Sequence, residues 1–156
     1  MSTIIGVFDD KDSAERALRE IEDLGFTEEE ISLVAKDEGD GDSFMDQNLA
    51  DGAATGGAIG GLAAIAASLG ALTIPGIGPI LAAGPIAAGL TGVAAGGIAG
   101  SLVDMGIPQD RGDYYENEVK NGKILAAVDL MDADEEEIEE ISSIFHDYGA
   151  SDVEIH

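Results

Sequence analysis

The chain has no cysteine, no tryptophan, four prolines, two histidines and only 7 Lys+Arg against 32 Asp+Glu in 156 residues. Without cysteine there are no disulfides and no thiol chemistry, and the redox compartment goes unread. The shortage of cations leaves a formal charge of -25. That excludes nucleic acid as a partner, because such binding draws its affinity from basic groups that neutralise phosphate; anionic lipid is repelled for the same reason. Neither His146 nor His156 belongs to an HxxxH or HExxH cluster, so no metal site is expected. His146, beside Phe145 near a helix C-terminus, reads as favouring the helix dipole. Serines and threonines occur without a nearby histidine base, which leaves no constellation for nucleophilic catalysis. The chain therefore reads as a non-enzyme, with no catalytic, cofactor-binding or metal residue.

The acidic excess itself has two readings. One is a surface suited to concentrated salt, where repulsion is screened within roughly 3 Å at 1 M; the other is an acidic interaction surface. The halophilic reading is favoured, because self-repulsion is poorly tolerated in dilute solution. "MSTIIGVFDD" carries no basic segment followed by a long apolar one, so the expectation is a cytoplasmic protein.

Charge is distributed in zones. Residues 1–36 are mixed, 37–51 form an acidic connector, 52–103 contain no ionisable side chain, and from Asp104 the mixed character returns. In the first zone "TIIGVF" reads as a strand, Asp12 or Ser13 as a cap, and Ala14, Ala17, Leu18, Ile21 and Leu24 as the apolar stripe of a helix stopped by Gly25, followed by the strand "ISLVA". In the last zone "KILAAVDL" is a strand and Asp134 with Glu137 a capping pair. Ile138, Ile141, Ile144, Phe145 and Tyr148 make a second stripe ended by Gly149, and "SDVEIH" closes the chain. Pro108 and "DYYENEVKNG" predict one more short helix, Tyr115 and Val119 facing inward and Gly122 ending it. Two strand-helix-strand units over 1–36 and 105–156 predict an α+β, ferredoxin-like split βαβ domain, a four-stranded antiparallel sheet with both helices on one face. "IIGVF" and "ILAAV" do not alternate with polar residues, which is typical of strands covered on both faces. Something else must cover the second face, either the inserted segment or another subunit.

That insertion, 52–104, has Gly or Ala at 29 of the 52 uncharged positions, divided by "IPGIGP". It predicts a helical hairpin whose turn is formed by Pro75, Gly76, Gly78 and Pro79. In the first arm Gly52, Gly56, Gly60, Ala63, Ala67 and Ala71 fall on one side, with Gly57 and Gly61 adjoining, and Ile59, Leu62, Ile65, Leu69 and Leu72 on the other. In the second, Gly89, Gly92, Gly96 and Gly100 make a ladder, with Gly97 adjoining and Ile86, Leu90 and Val93 beside it. Small residues four apart let helix backbones approach closely. A helix apolar all round must be buried all round, and arms exposed on a monomer would exceed the few hundred Å² of apolar patch that monomers tolerate. The expected partner is the chain itself, as a homo-oligomer: a closed particle, shell or filament. The rival is a membrane-inserted hairpin. Against it, Gly and Ala favour insertion weakly, the edges carry Asp51 and Asp104, and no Trp or Tyr marks an interface. A regulatory module that binds another protein is a third reading.

The stretches "IIGVFDDKDSAERALREIEDLGFTEEEISLVAKDE", "GALTIPGIGPILAAGPIAA", "MGIP" and "YYENEVKNGKILAAV" together resemble the general stress proteins with a heat-induced stress (YflT-like) domain. The most specific parts are "IPGIGPILAAGP" and the "GIP…YYE" segment. The resemblance implies a stress-associated accessory protein and carries no catalytic residue. Other motifs weigh less. "GGAIGG" lacks the strand-to-helix setting and the basic residue of a nucleotide loop. "DEGDGDSFMD" lacks EF-hand order and reads as a solvated linker, and Arg111-Gly112-Asp113 is a chance tripeptide.

Overall fold

A computed structural model describes residues 2–36, 70–74, 76–92, 96–131 and 133–156. The acidic connector and the first predicted helical arm as far as residue 69 lie outside these described residues. Within them the chain runs β1 (Thr3–Phe8), α1 (Lys11–Asp23), β2 (Ile31–Lys36), β3 (Gly70–Ile74), β4 (Gly78–Ala83), α2 (Pro85–Gly92), α3 (Gly97–Asp104), α4 (Gln109–Lys120), β5 (Ile124–Asp129), α5 (Glu135–Asp147) and β6 (Asp152–Ile155). This is an α+β fold with one six-stranded sheet, ordered β3-β4-β2-β5-β1-β6. Every pairing is antiparallel.

The strand period of two sorts the apolar residues between two layers. Ile4 and Phe8 of β1, Ile31, Leu33 and Ala35 of β2, and Ile124, Ala126 and Val128 of β5 pack under α1 and α5. Their neighbours Ile5 and Val7, Val34, and Leu125 and Ala127 face the other way, under Ile86 and Leu90 of α2, Ile98 and Leu102 of α3, and Tyr115 and Val119 of α4. Unbroken apolar strands therefore mark a sheet covered on both sides, and the second cover comes from within the chain.

Local signals explain most elements. Asp10 caps α1, its side chain accepting from the Ser13 amide at 2.9 Å, so the cap lies just before the expected Asp12 or Ser13. Leu24, predicted in the buried stripe, is the C-cap residue and is exposed. Asp134 and Glu137 make the predicted capping box of α5.

The predicted helical hairpin is corrected over 70–104. Residues 70–83 form the β3–β4 hairpin, in register Ile74↔Gly78 and Gly70↔Ala82, and add two strands to the four expected. Gly76 does sit in its turn, with the Ile77 amide donating to the Ile74 carbonyl at 3.1 Å; Gly78 and Pro79 are already in β4, and Pro75 lies outside the described residues. Gly76 takes φ 88°, which the second central position of a type II turn requires and an α-helix cannot contain. The second arm is likewise two helices, since Gly97 has φ 60°. Gly89 and Gly100, inside α2 and α3, cost about 2 kcal/mol in helix propensity. Burial of Ile86, Leu90, Ile98 and Leu102 contributes about 6–12 kcal/mol. That burial offsets the propensity cost of the two glycines.

Candidate functional site

The densest polar network among the described residues joins α4 to the edge strand β6. Arg111 and Tyr115 are four apart on α4 and so share a helix face. On β6 the alternation puts Asp152 and Glu154 on the side of the sheet that α4 covers, opposite Val7 and Ile5. The Arg111 Nη2 donates to Asp152 Oδ2 at 2.7 Å and to the Tyr115 hydroxyl at 3.3 Å. Its Nε lies 2.7 Å from Glu154 Oε2 but is not aimed for a hydrogen bond, so that contact is ionic. The guanidinium stacks 4.5 Å from the Tyr114 ring centre and 5.0 Å from that of Tyr115. The Tyr115 hydroxyl is 2.9 Å from His156 Nε2 and 3.3 Å from Glu154 Oε2.

Burial is the largest influence on each of these groups. It would lower the Arg111 pKa, but acceptance by Tyr115 and Asp152, helped by the charge of Glu154, leaves the guanidinium held more firmly protonated than usual. Burial pushes the fully buried Tyr115 phenol up to about 12, against the opposing pull of Arg111. Burial also lowers His156, with Arg111 adding to the effect and Glu154 opposing it. The arrangement fastens a strand: Arg111, Tyr115, Asp152, Glu154 and His156 are engaged chiefly with one another.

The Tyr115 shift has a measurable sign. The folded state keeps the phenol proton to about pH 12 while the unfolded chain releases it near 10, so this contribution is complete below pH 10 and is lost as pH rises through about 12. About 2–3 kcal/mol should disappear across that window. Urea unfolding at stepped alkaline pH checks it: Tyr115→Phe should flatten the slope between pH 10 and 12, and an unchanged slope rejects the assignment.

The predicted assembly residues divide. Gly52, Gly56, Gly57, Gly60 and Gly61 lie outside the described residues. Gly89 sits in α2, where a Cβ would come within 2.3 Å of Ser101 Oγ, so α2 and α3 of one chain pack closely there. Gly92 ends α2, Gly96 caps α3 and Gly97 begins it. A Cβ on Gly97 would meet Glu116 Oε2 at 2.8 Å; one on Gly100 would meet open space. Glu116 itself caps α3 by accepting from the Ala99 amide at 2.9 Å. The reading from sequence missed Gly112, whose α-carbon approaches the Ala99 carbonyl so closely that a Cβ would lie 3.0 Å from it. It also missed the Arg111 network, although the four-residue spacing to Tyr115 and the alternation of "DVEIH" were both visible.

An open cleft of about 160 Å³ lies by Leu24, Phe26, Glu30 and Glu137, below the size of small-molecule pockets. Its two carboxylates already accept from the Thr27 and Asp134 amides. Among the described residues no helix is long and apolar enough to cross a membrane, and no group of three or more His, Cys, Asp or Glu is placed to hold a metal ion. No family model, curated protein or solved structure matches the chain.

Proposed function

We propose that this is a non-enzymatic structural protein of the general-stress type that assembles with copies of itself through the glycine-rich segment 52–69. The observation that carries the reading is the double cover of the sheet. α1 with α5 occupies one face and α2 with α3 and α4 the other. The 18 residues of 52–69 include Ile59, Leu62, Ile65 and Leu69 and no ionisable side chain, and the covered sheet offers them no open central face. Burial against the same segment from other copies satisfies them, while the -25 charge keeps the assembly dispersed. The order β6-β1-β5-β2, with α1 and α5 on one side, supports a ferredoxin-like split βαβ frame into which the middle of the chain inserts two strands and three helices. The likeness of "IPGIGPILAAGP" to the general stress proteins supports the biological setting.

Mass measurement in detergent-free buffer tests the proposal. The wild-type chain should form a multimer at high and low salt, and Gly56→Leu or Gly60→Leu should reduce it towards single chains with the far-ultraviolet spectrum unchanged. Gly89→Leu is unsuitable, because its side chain would strike Ser101 within the fold. A wild-type protein that runs as a single chain without detergent overturns the reading. A particle that needs detergent for extraction moves segment 52–69 into a bilayer instead, and a stoichiometric second protein transfers the reading to the binding module.

A further inference from the structure

Strand β6 is four residues long and lies at one edge of the sheet, paired only to β1. A short edge strand opens locally at low free energy unless its side chains hold it. On the α1/α5 side Ile155 is 53% exposed, so apolar packing holds this end weakly. The α4 side does the fastening, through Arg111 to Asp152 and Glu154 and through Tyr115 to His156. The phenol has one proton to give, and its contact with His156 Nε2, 2.9 Å, is shorter than that with Glu154, 3.3 Å. A neutral imidazole with its hydrogen on Nδ1 accepts that proton at Nε2, whereas an imidazolium would turn Nε2 into a donor towards Glu154 Oε2, 3.4 Å away.

We propose that the His156–Tyr115–Arg111 network is a proton-sensitive latch, which holds β6 on the sheet while the imidazole is neutral and releases it as the imidazole becomes charged. The groups facing His156 are Asp110, Arg111 and Tyr115 from α4 and Asp152 and Glu154 from β6. β1 contributes the backbone of Thr3, which exchanges two hydrogen bonds of 2.9 Å with His156. The carboxylates favour an imidazolium, but Asp152 and Glu154 are already engaged by Arg111. The guanidinium opposes a second cation, and the ring, 9% exposed, would lose most of its hydration. In the attached strand the imidazole therefore protonates below its ordinary 6.5, for the same reasons of burial and the Arg111 charge. A detached β6 takes up the proton at the ordinary value. Detachment is favoured as pH falls below about 6.5, and above it the latch is at full strength.

Amide hydrogen exchange on the full chain, corrected for the intrinsic pH dependence of exchange, tests this. Between about pH 7.5 and about pH 5, the Thr3, Ser151 and His156 amides that bond across β1 and β6 should lose protection several-fold relative to Leu125 and Ala127 of β5. His156→Gln should remove that pH response. Protection that tracks β5 at every pH, or a response that persists in His156→Gln, overturns the latch. If the glutamine variant leaves β6 unprotected throughout, the titration of the wild-type imidazole decides. A midpoint below 6.5 that coincides with the loss of β6 protection upholds the latch, and one at or above 6.5 overturns it.

Discussion

Replacing Gly84 with alanine is expected to destabilise the protein by about 3–5 kcal/mol, a large share of the roughly 5–15 kcal/mol that holds a domain of this size. Gly84 joins β4 to α2 at φ 81°, where an alanine carries about 1–2 kcal/mol of left-handed strain. An added Cβ would also lie 2.0 Å from the Ile31 carbonyl oxygen and 2.8 Å from the Ser32 α-carbon. Both obstacles are backbone of β2, which is bonded to β4 on one side and β5 on the other and cannot swing away. Relief requires α2 to lift, and this breaks the bond from the Ile86 amide to Ser32 Oγ, 3.1 Å. Gly25→Ala is the control: its φ is 110° and nothing lies within 4 Å, so strain alone acts and the loss should stay at about 1–2 kcal/mol. Urea unfolding of the two variants separates clash from strain, and equal losses would disprove the close approach.

The second large effect is expected at Phe145. Its buried ring meets Phe8 edge-on with centres 5.5 Å apart and rests on Gly6, where a Cβ would be 2.7 Å from Phe145 Cδ2. Phe145→Ala should remove about 3–5 kcal/mol. Gly6→Ala should remove about 1–3 kcal/mol by overpacking, because β1 lies between β5 and β6 and cannot retreat. Combined, the new methyl group enters the space that the ring vacated. The double variant should therefore be more stable than the sum of the single losses implies, by about 1–3 kcal/mol. Additive losses would mean that the ring does not rest on Gly6.

The outer segments were legible because their signals are local. Asp134 with Glu137, the spacing of Ile141, Ile144 and Phe145, and the runs "IIGVF" and "ILAAV" each fix an element within a dozen residues. Gly25, Gly122 and Gly149 follow the helices they were expected to end. The middle segment was misread because Gly and Ala satisfy a helical wheel and a strand pattern alike. "GALTIPGIGPILAA" carries its decisive information in the backbone angles of Gly76, which composition does not display. The network around Arg111 was hidden for another reason: its partners Asp152, Glu154 and His156 stand some forty residues away, and only the sheet order brings them beneath α4.

That sheet order also bears on how the molecule comes into being. Strand β1, which precedes the other described elements along the chain, finds its two neighbours in β5, Ile124–Asp129, and β6, Asp152–Ile155. A nascent chain that has not yet reached residue 124 has both flanks of β1 unpaired. All the residues from β1 to β5 must leave the ribosome before the sheet can close around β1, and pairings so distant along the sequence make folding slow.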